Sequence, residues 1–245
     1  MTSWLVSAGR VAPARSRLFC FPYAGGAASV FRPWAKWLCS DIELCIIQYP
    51  GREDRFGESL HEHVQTLLPP LAEAIGDRFD RPYGLFGHSM GAGIAYHLTR
   101  LAARNGWRMP ERLFVSGARA PHRHRPPIVT DLDDDAFVRH VRERGGTPES
   151  VLNNVELMAL LLPRLRADFR LAESLALTEP DPIECPITVL AGEADVEVSQ
   201  ASARAWDACT TADLDWRGYS GDHFFLHEHA ESIVADINRL LWSES

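Results

Sequence analysis

Short apolar runs recur along the chain, each followed by a stretch of helical period, and this alternation restricts the fold more than any other feature. Residues 18–21, 42–48, 83–86, 113–116, 187–191 and 214–216 read as buried strands. Helical spacing marks residues 29–38, 61–75, 94–103, 199–209 and 229–242. Strands that are apolar on both faces need cover on both faces, so the expected class is α/β, a mostly parallel central sheet with helices on either side. Ser29 is expected to cap the first helical stretch, Pro69 and Pro70 to bend or restart the second, and Gly106 to stop the third. The alternation breaks once, at about residues 121–182, where two helices (134–144 and 155–173) and no strand are expected. We read this as a helical insertion within a single domain spanning residues 1–245, a length that buries one sizeable core at 46% hydrophobic content.

Composition excludes several classes. A net charge of −8 argues against general affinity for nucleic acid, which needs clustered Lys and Arg. No run approaches the roughly 18 apolar residues of a membrane span, and residues 1–10 lack the pattern of a secretory leader. The five cysteines (Cys20, Cys39, Cys45, Cys185, Cys209) are odd in number and scattered, without CxxC spacing, and Cys20, Cys45 and Cys185 sit in or beside strand-like runs. They read as buried core thiols of a protein in a reducing compartment, hence a cytoplasmic one. None of the ten histidines forms HExxH or a metal-ligand set with neighbouring Cys, so neither a metal nor a cofactor is expected.

Gly87-His88-Ser89-Met90-Gly91 matches G-x-S-x-G, a weak pattern by itself. Its context strengthens it, because an apolar strand precedes it and a helix follows. A serine nucleophile at the end of a buried strand must sit on a strained turn, and glycine on either side leaves room for that turn. The alternative is an ordinary strand-to-helix turn with a capping serine. A serine hydroxyl needs a base within reach and the base an orienting acid, and in the α/β-hydrolase fold these follow in the order Ser, acid, His. Asp195, directly after the strand at 187–191, is the candidate acid; Glu193 and Glu197 compete, and the alternative for Asp195 is that it only caps the following helix. His223, in Ser220-Gly221-Asp222-His223 between the last strand and last helix, is the candidate base, with His227 and His229 as competitors. Met90, after the nucleophile, and Ala24, in Phe21-Pro22-Tyr23-Ala24-Gly25-Gly26, are the candidate N–H donors of an oxyanion hole, unless the latter is a plain glycine turn.

In the insertion, Leu157-Met158-Ala159-Leu160-Leu161-Leu162 is apolar around its whole circumference and must be covered, either by packing on the core or by lining an acyl channel, for which Met158 and Leu161 are the candidates. His122-Arg123-His124-Arg125 opens the insertion beside the expected mouth of the site. Arg123 and Arg125 are candidates for contact with a phosphate or an acidic partner, the alternative being a solvated loop.

Taken together, the motifs above with Pro50-Gly51-Arg52-Glu53, Ser116-Gly117-Ala118-Arg119-Ala120-Pro121, Gly192-Glu193-Ala194-Asp195 and Gly221-Asp222-His223-Phe224-Phe225 resemble the type II thioesterases, in that family's order and over almost the whole chain. These are stand-alone partners of polyketide and nonribosomal peptide synthases. The resemblance implies an α/β-hydrolase fold with a helical lid and hydrolysis of acyl groups stalled on the phosphopantetheine arm of acyl or peptidyl carrier proteins. It also maps Ser89, Asp195 and His223 onto the triad and Ala24 and Met90 onto the oxyanion hole. A monomer is expected. Competing expectations are a medium-chain acyl thioesterase of fatty acid synthesis or a general carboxylesterase with the same triad; a scaffold without catalysis would need a broken triad or oxyanion loop.

Overall fold

The structure is a computed structural model and describes residues 3–8, 14–123, 129 and 131–241. Seven strands, β1 (Leu5–Ala8), β2 (Ser16–Phe21), β3 (Ile42–Ile47), β4 (Tyr83–His88), β5 (Arg112–Ser116), β6 (Ile187–Gly192) and β7 (Leu214–Tyr219), form one sheet in the order β1-β3-β2-β4-β5-β6-β7. Every pairing is parallel except that of β1 with β3. Successive strand residues point to opposite faces. Phe19, Leu85, Leu113 and Val189 therefore enter one apolar core while their neighbours Leu18, Phe86, Phe114 and Leu190 enter the other.

Helices cover both cores. On the first face pack α1 (Val64–Ile75), through Val64, Leu67, Leu71 and Ile75, and α2 (Met90–Asn105), through Ile94, Ala95 and Leu98. The insertion contributes α3 (Asp134–Arg144), α4 (Glu149–Leu152) and α5 (Val155–Glu173), and α6 (Gln200–Arg204) follows β6. The last helix, α7 (Ala230–Leu241), covers the second face with Ile233, Val234 and Ile237. Gly106 closes α2 in the left-handed conformation, as the sequence suggests. Four of the five cysteines are buried, and Cys45 and Cys185 have thiols pushed up to about 12 by burial, which makes them inert core residues.

Three local expectations change. The stretch after β2 is two 3-10 turns, Ala28–Val30 and Arg32–Lys36, begun at Ala27 without a side-chain cap from Ser29. A 3-10 turn brings side chains three apart over one another, and here it sets Phe31 edge-to-face against Trp34 (ring centroids 4.9 Å) with both rings edge-on to Phe86. Helix α1 runs through Pro69 and Pro70 without restarting; the turn that loses helical hydrogen bonds there carries the exposed Gln65 and Thr66, whose carbonyls water can reach. Strand β1 and the single turn α4 had no periodic signal, being four residues each.

The insertion holds a small apolar cluster of its own: Val129, Phe137, Val141, Leu152, Met158, Leu165 and Phe169. Ala24, from the loop after β2, packs against that cluster and also against the first core. The insertion is thereby seated over the carboxyl end of the sheet. Among the described residues no helix is long and apolar enough to cross a membrane.

Candidate active site

Strand β4 ends at His88, α2 begins at Met90, and Ser89 alone makes the turn with φ 52° and ψ −116°. A positive φ is strained for a residue with a Cβ. The strain is held by close backbone packing. A Cβ on Gly87 would lie 2.3 Å from the carbonyl carbon of Gly91, and one on Gly91 would lie 2.0 Å from the carbonyl oxygen of Phe21. The Ser89 N–H donates to the Ser116 carbonyl at 2.8 Å, which ties the turn to β5. Met90 is the first residue of α2, so its N–H has no intrahelical acceptor and is free to serve a ligand.

His223 lies in the loop between β7 and α7, and Asp195 in the turn after β6. His223 Nδ1 and Asp195 Oδ2 are 2.8 Å apart, and both side chains are buried. The other carboxylate oxygen of Asp195 accepts the N–H groups of Glu197 (2.8 Å) and Val198 (3.1 Å). Asp195 does not cap the following helix, whose cap is Ser199 accepting the Ser202 N–H; one of its oxygens organises the turn before that helix and the other meets the histidine. Burial pushes the Asp195 carboxyl up, but the hydrogen bond and charge of His223 with the two N–H groups outweigh it and hold the group below the usual carboxylate range. Three of the four competitors are engaged elsewhere: Glu197 pairs with Arg144, His227 Nε2 lies 3.1 Å from the Tyr23 hydroxyl, and His229 Nε2 lies 3.0 Å from Ser220 Oγ; Glu193 is exposed.

Ser89 and His223 line two adjoining cavities. One, about 250 Å³, extends past Ala24, Met90, Val129, Phe169 and Leu175 and is edged by Arg119, His140, Arg144 and Glu197. The other, about 200 Å³, runs under the Tyr23–Gly26 loop to Gly145, Gly146 and Phe224. The structure thus brings Ser89, His223, Asp195, Ala24 and Met90 to one edge of the sheet. It does not bring Met158 or Leu161 there. Met158 is buried in the insertion's own cluster, and Leu161 lines a third cavity beside Arg52 and Arg164. On the circumference of that apolar segment, Leu157 and Leu160 remain 41% and 53% exposed rather than covered. Arg123 is exposed, two residues from Pro121 in the cavity wall, and Arg125 lies outside the described residues.

One residue beneath the site escaped the sequence reading. His88 is fully buried, with Nδ1 2.9 Å from Ser116 Oγ and its ring 5.1 Å from that of His223. Burial pushes it well below the ordinary histidine value, so it is a neutral spacer under the imidazole of His223. A polar residue inside an otherwise apolar strand was the available signal. Among the described residues no group of three His, Cys, Asp or Glu is arranged to hold a metal.

The model of the thioesterase domain family matches residues 16–241. The gramicidin S biosynthesis protein GrsT of Aneurinibacillus migulanus is 41% identical over 237 residues, covering 96% of this chain and 92% of that one. Among solved structures, the RedJ thioesterase from the prodiginine biosynthetic pathway of Streptomyces coelicolor superposes with a TM-score of 0.88 at 34% identity, covering 96% of this chain and 94% of that one. The type II thioesterase BorB from the borrelidin biosynthetic cluster does so with a TM-score of 0.86 at 33% identity, covering 97% and 96%. The chain belongs to the thioesterase family and is a serine hydrolase of the α/β-hydrolase fold.

Proposed function

We propose that this protein removes acyl groups from the phosphopantetheine arms of acyl or peptidyl carrier proteins of a polyketide or nonribosomal peptide synthase, clearing stalled intermediates through an acyl-Ser89 enzyme. The observation that carries the chemistry is the 2.8 Å contact between His223 Nδ1 and Asp195 Oδ2 beside a cavity shared with Ser89. With Nδ1–H donated to the carboxylate, Nε2 keeps its lone pair and can take the Ser89 proton. The Ser89 oxygen then adds to the thioester carbonyl, the Ala24 and Met90 N–H groups hold the resulting oxyanion, and the C–S bond breaks. The pantetheine sulfur leaves with the proton from His223. Water, deprotonated by the same imidazole, adds to the acyl-serine, and collapse returns Ser89 and a free carboxylic acid.

The two cavities suit the two ends of this substrate. The larger, with Val129, Phe169 and Leu175 on its wall, takes the acyl group, and the one under the Tyr23–Gly26 loop takes the pantetheine arm. Residues 121–182 act as a lid on one domain spanning the chain, and Arg123 at its start meets the carrier protein or its phosphate. Names of relatives from gramicidin S, prodiginine and borrelidin biosynthesis support the assembly-line setting. We place the protein in the cytoplasm, as a monomer acting without metal or cofactor.

Mass spectrometry of acyl-loaded carrier proteins tests the reading. Wild-type protein should return the free phosphopantetheine form and the Ser89→Ala variant should leave the acyl form. Turnover of simple esters with acyl-carrier proteins left intact would move the function to a general carboxylesterase.

A further inference from the structure

Two charged side chains lie buried beside the loop that offers the Ala24 N–H, and neither takes part in the proton transfers. Asp168, on α5, has a side chain 4% exposed, and Arg52, from the loop after β3, one 10% exposed. Asp168 Oδ2 accepts the Gly25 N–H at 2.7 Å and meets Arg52 Nη2 in a close ion pair that lacks an aligned hydrogen bond. Arg52 gives its other donors to the backbone, Nε–H to the Gly26 carbonyl (3.1 Å) and Nη1–H to the Pro50 carbonyl (2.7 Å). The peptide groups that precede Gly25 and follow Gly26 are therefore gripped. Because the Gly25 N–H belongs to the peptide that joins it to Ala24, holding it restricts the rotation that aims Ala24. Helix α5 is also packed directly on the loop, since a Cβ on Gly25 would sit 2.9 Å from Leu165 Cδ2.

Stability alone does not account for this pair. Burying two charges costs solvation, and well-packed apolar residues in their place are often as stable or more so. An apolar side chain at position 168 could not accept the Gly25 N–H. We propose that Asp168, oriented by Arg52, is a positioning residue for the oxyanion hole: it ties α5 of the insertion to the Tyr23–Gly26 loop, so the Ala24 N–H is correctly aimed only while α5 is docked. The proposal rests on the acyl-Ser89 reading and extends it, making the insertion part of the catalytic apparatus as well as a cover.

The test compares kcat, KM and melting temperature of the intact protein, with an acyl-pantetheine thioester as substrate. The double variant Arg52→Met/Asp168→Leu should melt within a few degrees of wild type while kcat falls roughly 10- to 100-fold, short of or near the loss of a whole oxyanion donor, with KM changed less than about threefold. Asp168→Asn, whose amide oxygen still accepts the Gly25 N–H, should keep kcat within about tenfold of wild type. Should the double variant not fold, Asp168→Asn against Asp168→Ser decides, because the serine hydroxyl is too short to reach. Normal kcat in a folded double variant, or equal kcat losses in the Asn and Ser variants, overturns the proposal. Turnover by Ser89→Ala would instead remove the acyl-serine reading, so the two failures are distinguishable.

Discussion

The sheet edge that carries Ser89 and the insertion that covers it are built with different tolerances. At the edge, backbone lies on backbone: Gly87 and Gly91 have neighbours 2.3 and 2.0 Å from where a Cβ would stand. In the insertion, side chains make the contacts, through one small apolar cluster and a few polar ties such as Asp168 to Gly25 and Arg164 Nε to the Gly51 carbonyl at 2.9 Å. Val155, Leu157 and Leu160 are left exposed on its outer side. A turn held by backbone contact has few solutions for its residues, whereas a helical cover held by a few side chains has many.

The largest effect should come from the edge. Asp195→Asn would present an amide N–H to His223 Nδ1, forcing the proton to Nε2 and removing the base; kcat should fall about 10⁴-fold while KM and the circular dichroism spectrum stay near wild type. A loss below about tenfold would show that Asp195 only organises its turn. Next, Gly91→Ala drives a Cβ into the Phe21 carbonyl, and a destabilisation of roughly 4 kcal/mol or more, or failure to fold, is expected from denaturant titration. An Ala variant of near wild-type stability would mean that the edge has slack after all.

A smaller effect tests the wall between the regions. His97 on α2 is buried and donates Nε2–H to the Leu175 carbonyl at 3.0 Å, while its Nδ1 accepts from Arg100 at 3.1 Å. Burial lowers its pKa from 6.5 to about 4. The folded value lies below the unfolded one, so the unfolded chain binds the extra proton first, and stability is lost as pH falls from about 6.5 towards 4, roughly 3 kcal/mol from this group. His97→Gln should narrow the gap in melting temperature between pH 7 and pH 4.5; an unchanged gap would assign acid sensitivity to other groups, such as His88. The smallest effect belongs to the outer side of the insertion. Leu157→Gln and Leu160→Gln should each alter stability by no more than about 0.5 kcal/mol, and a larger loss would mean that this face is packed in solution.

The same contrast explains what the sequence made legible. The alternation of strands and helices along the chain, the turn at Ser89 and the place of Asp195 follow from local patterns, because Ser89 and Asp195 each lie just past an apolar strand and close packing around Ser89 demands glycine. Strand β7 is only half-buried, so His223 was marked by its place between that strand and the last helix, and the order of strands within the sheet was not read. The bounds of α3 and α5 were equally readable, as amphipathic period and caps mark them: Asp133 accepts the Ala136 N–H and Asn154 the Leu157 N–H. Which face of α5 meets the cavity was not readable. An all-apolar stretch has no preferred side, so Met158 and Leu161 could not be told from Phe169, which does line the Ser89 cavity. Asp168 carried a faint signal, an acidic residue three positions after Leu165 on the buried side of the helix, but its partners Arg52 and Gly25 are more than a hundred residues away.

The central claim is that Ser89 carries the acyl group between thioester and water. Mixing the protein with an acyl-pantetheine thioester, quenching in acid within milliseconds and mapping peptides by mass gives the most direct measurement. The acyl mass should fall on the peptide containing Ser89, at that residue, and be absent from Ser89→Ala. Thiol release at the wild-type rate by Ser89→Ala, or an acyl mass confined to another residue, would contradict it.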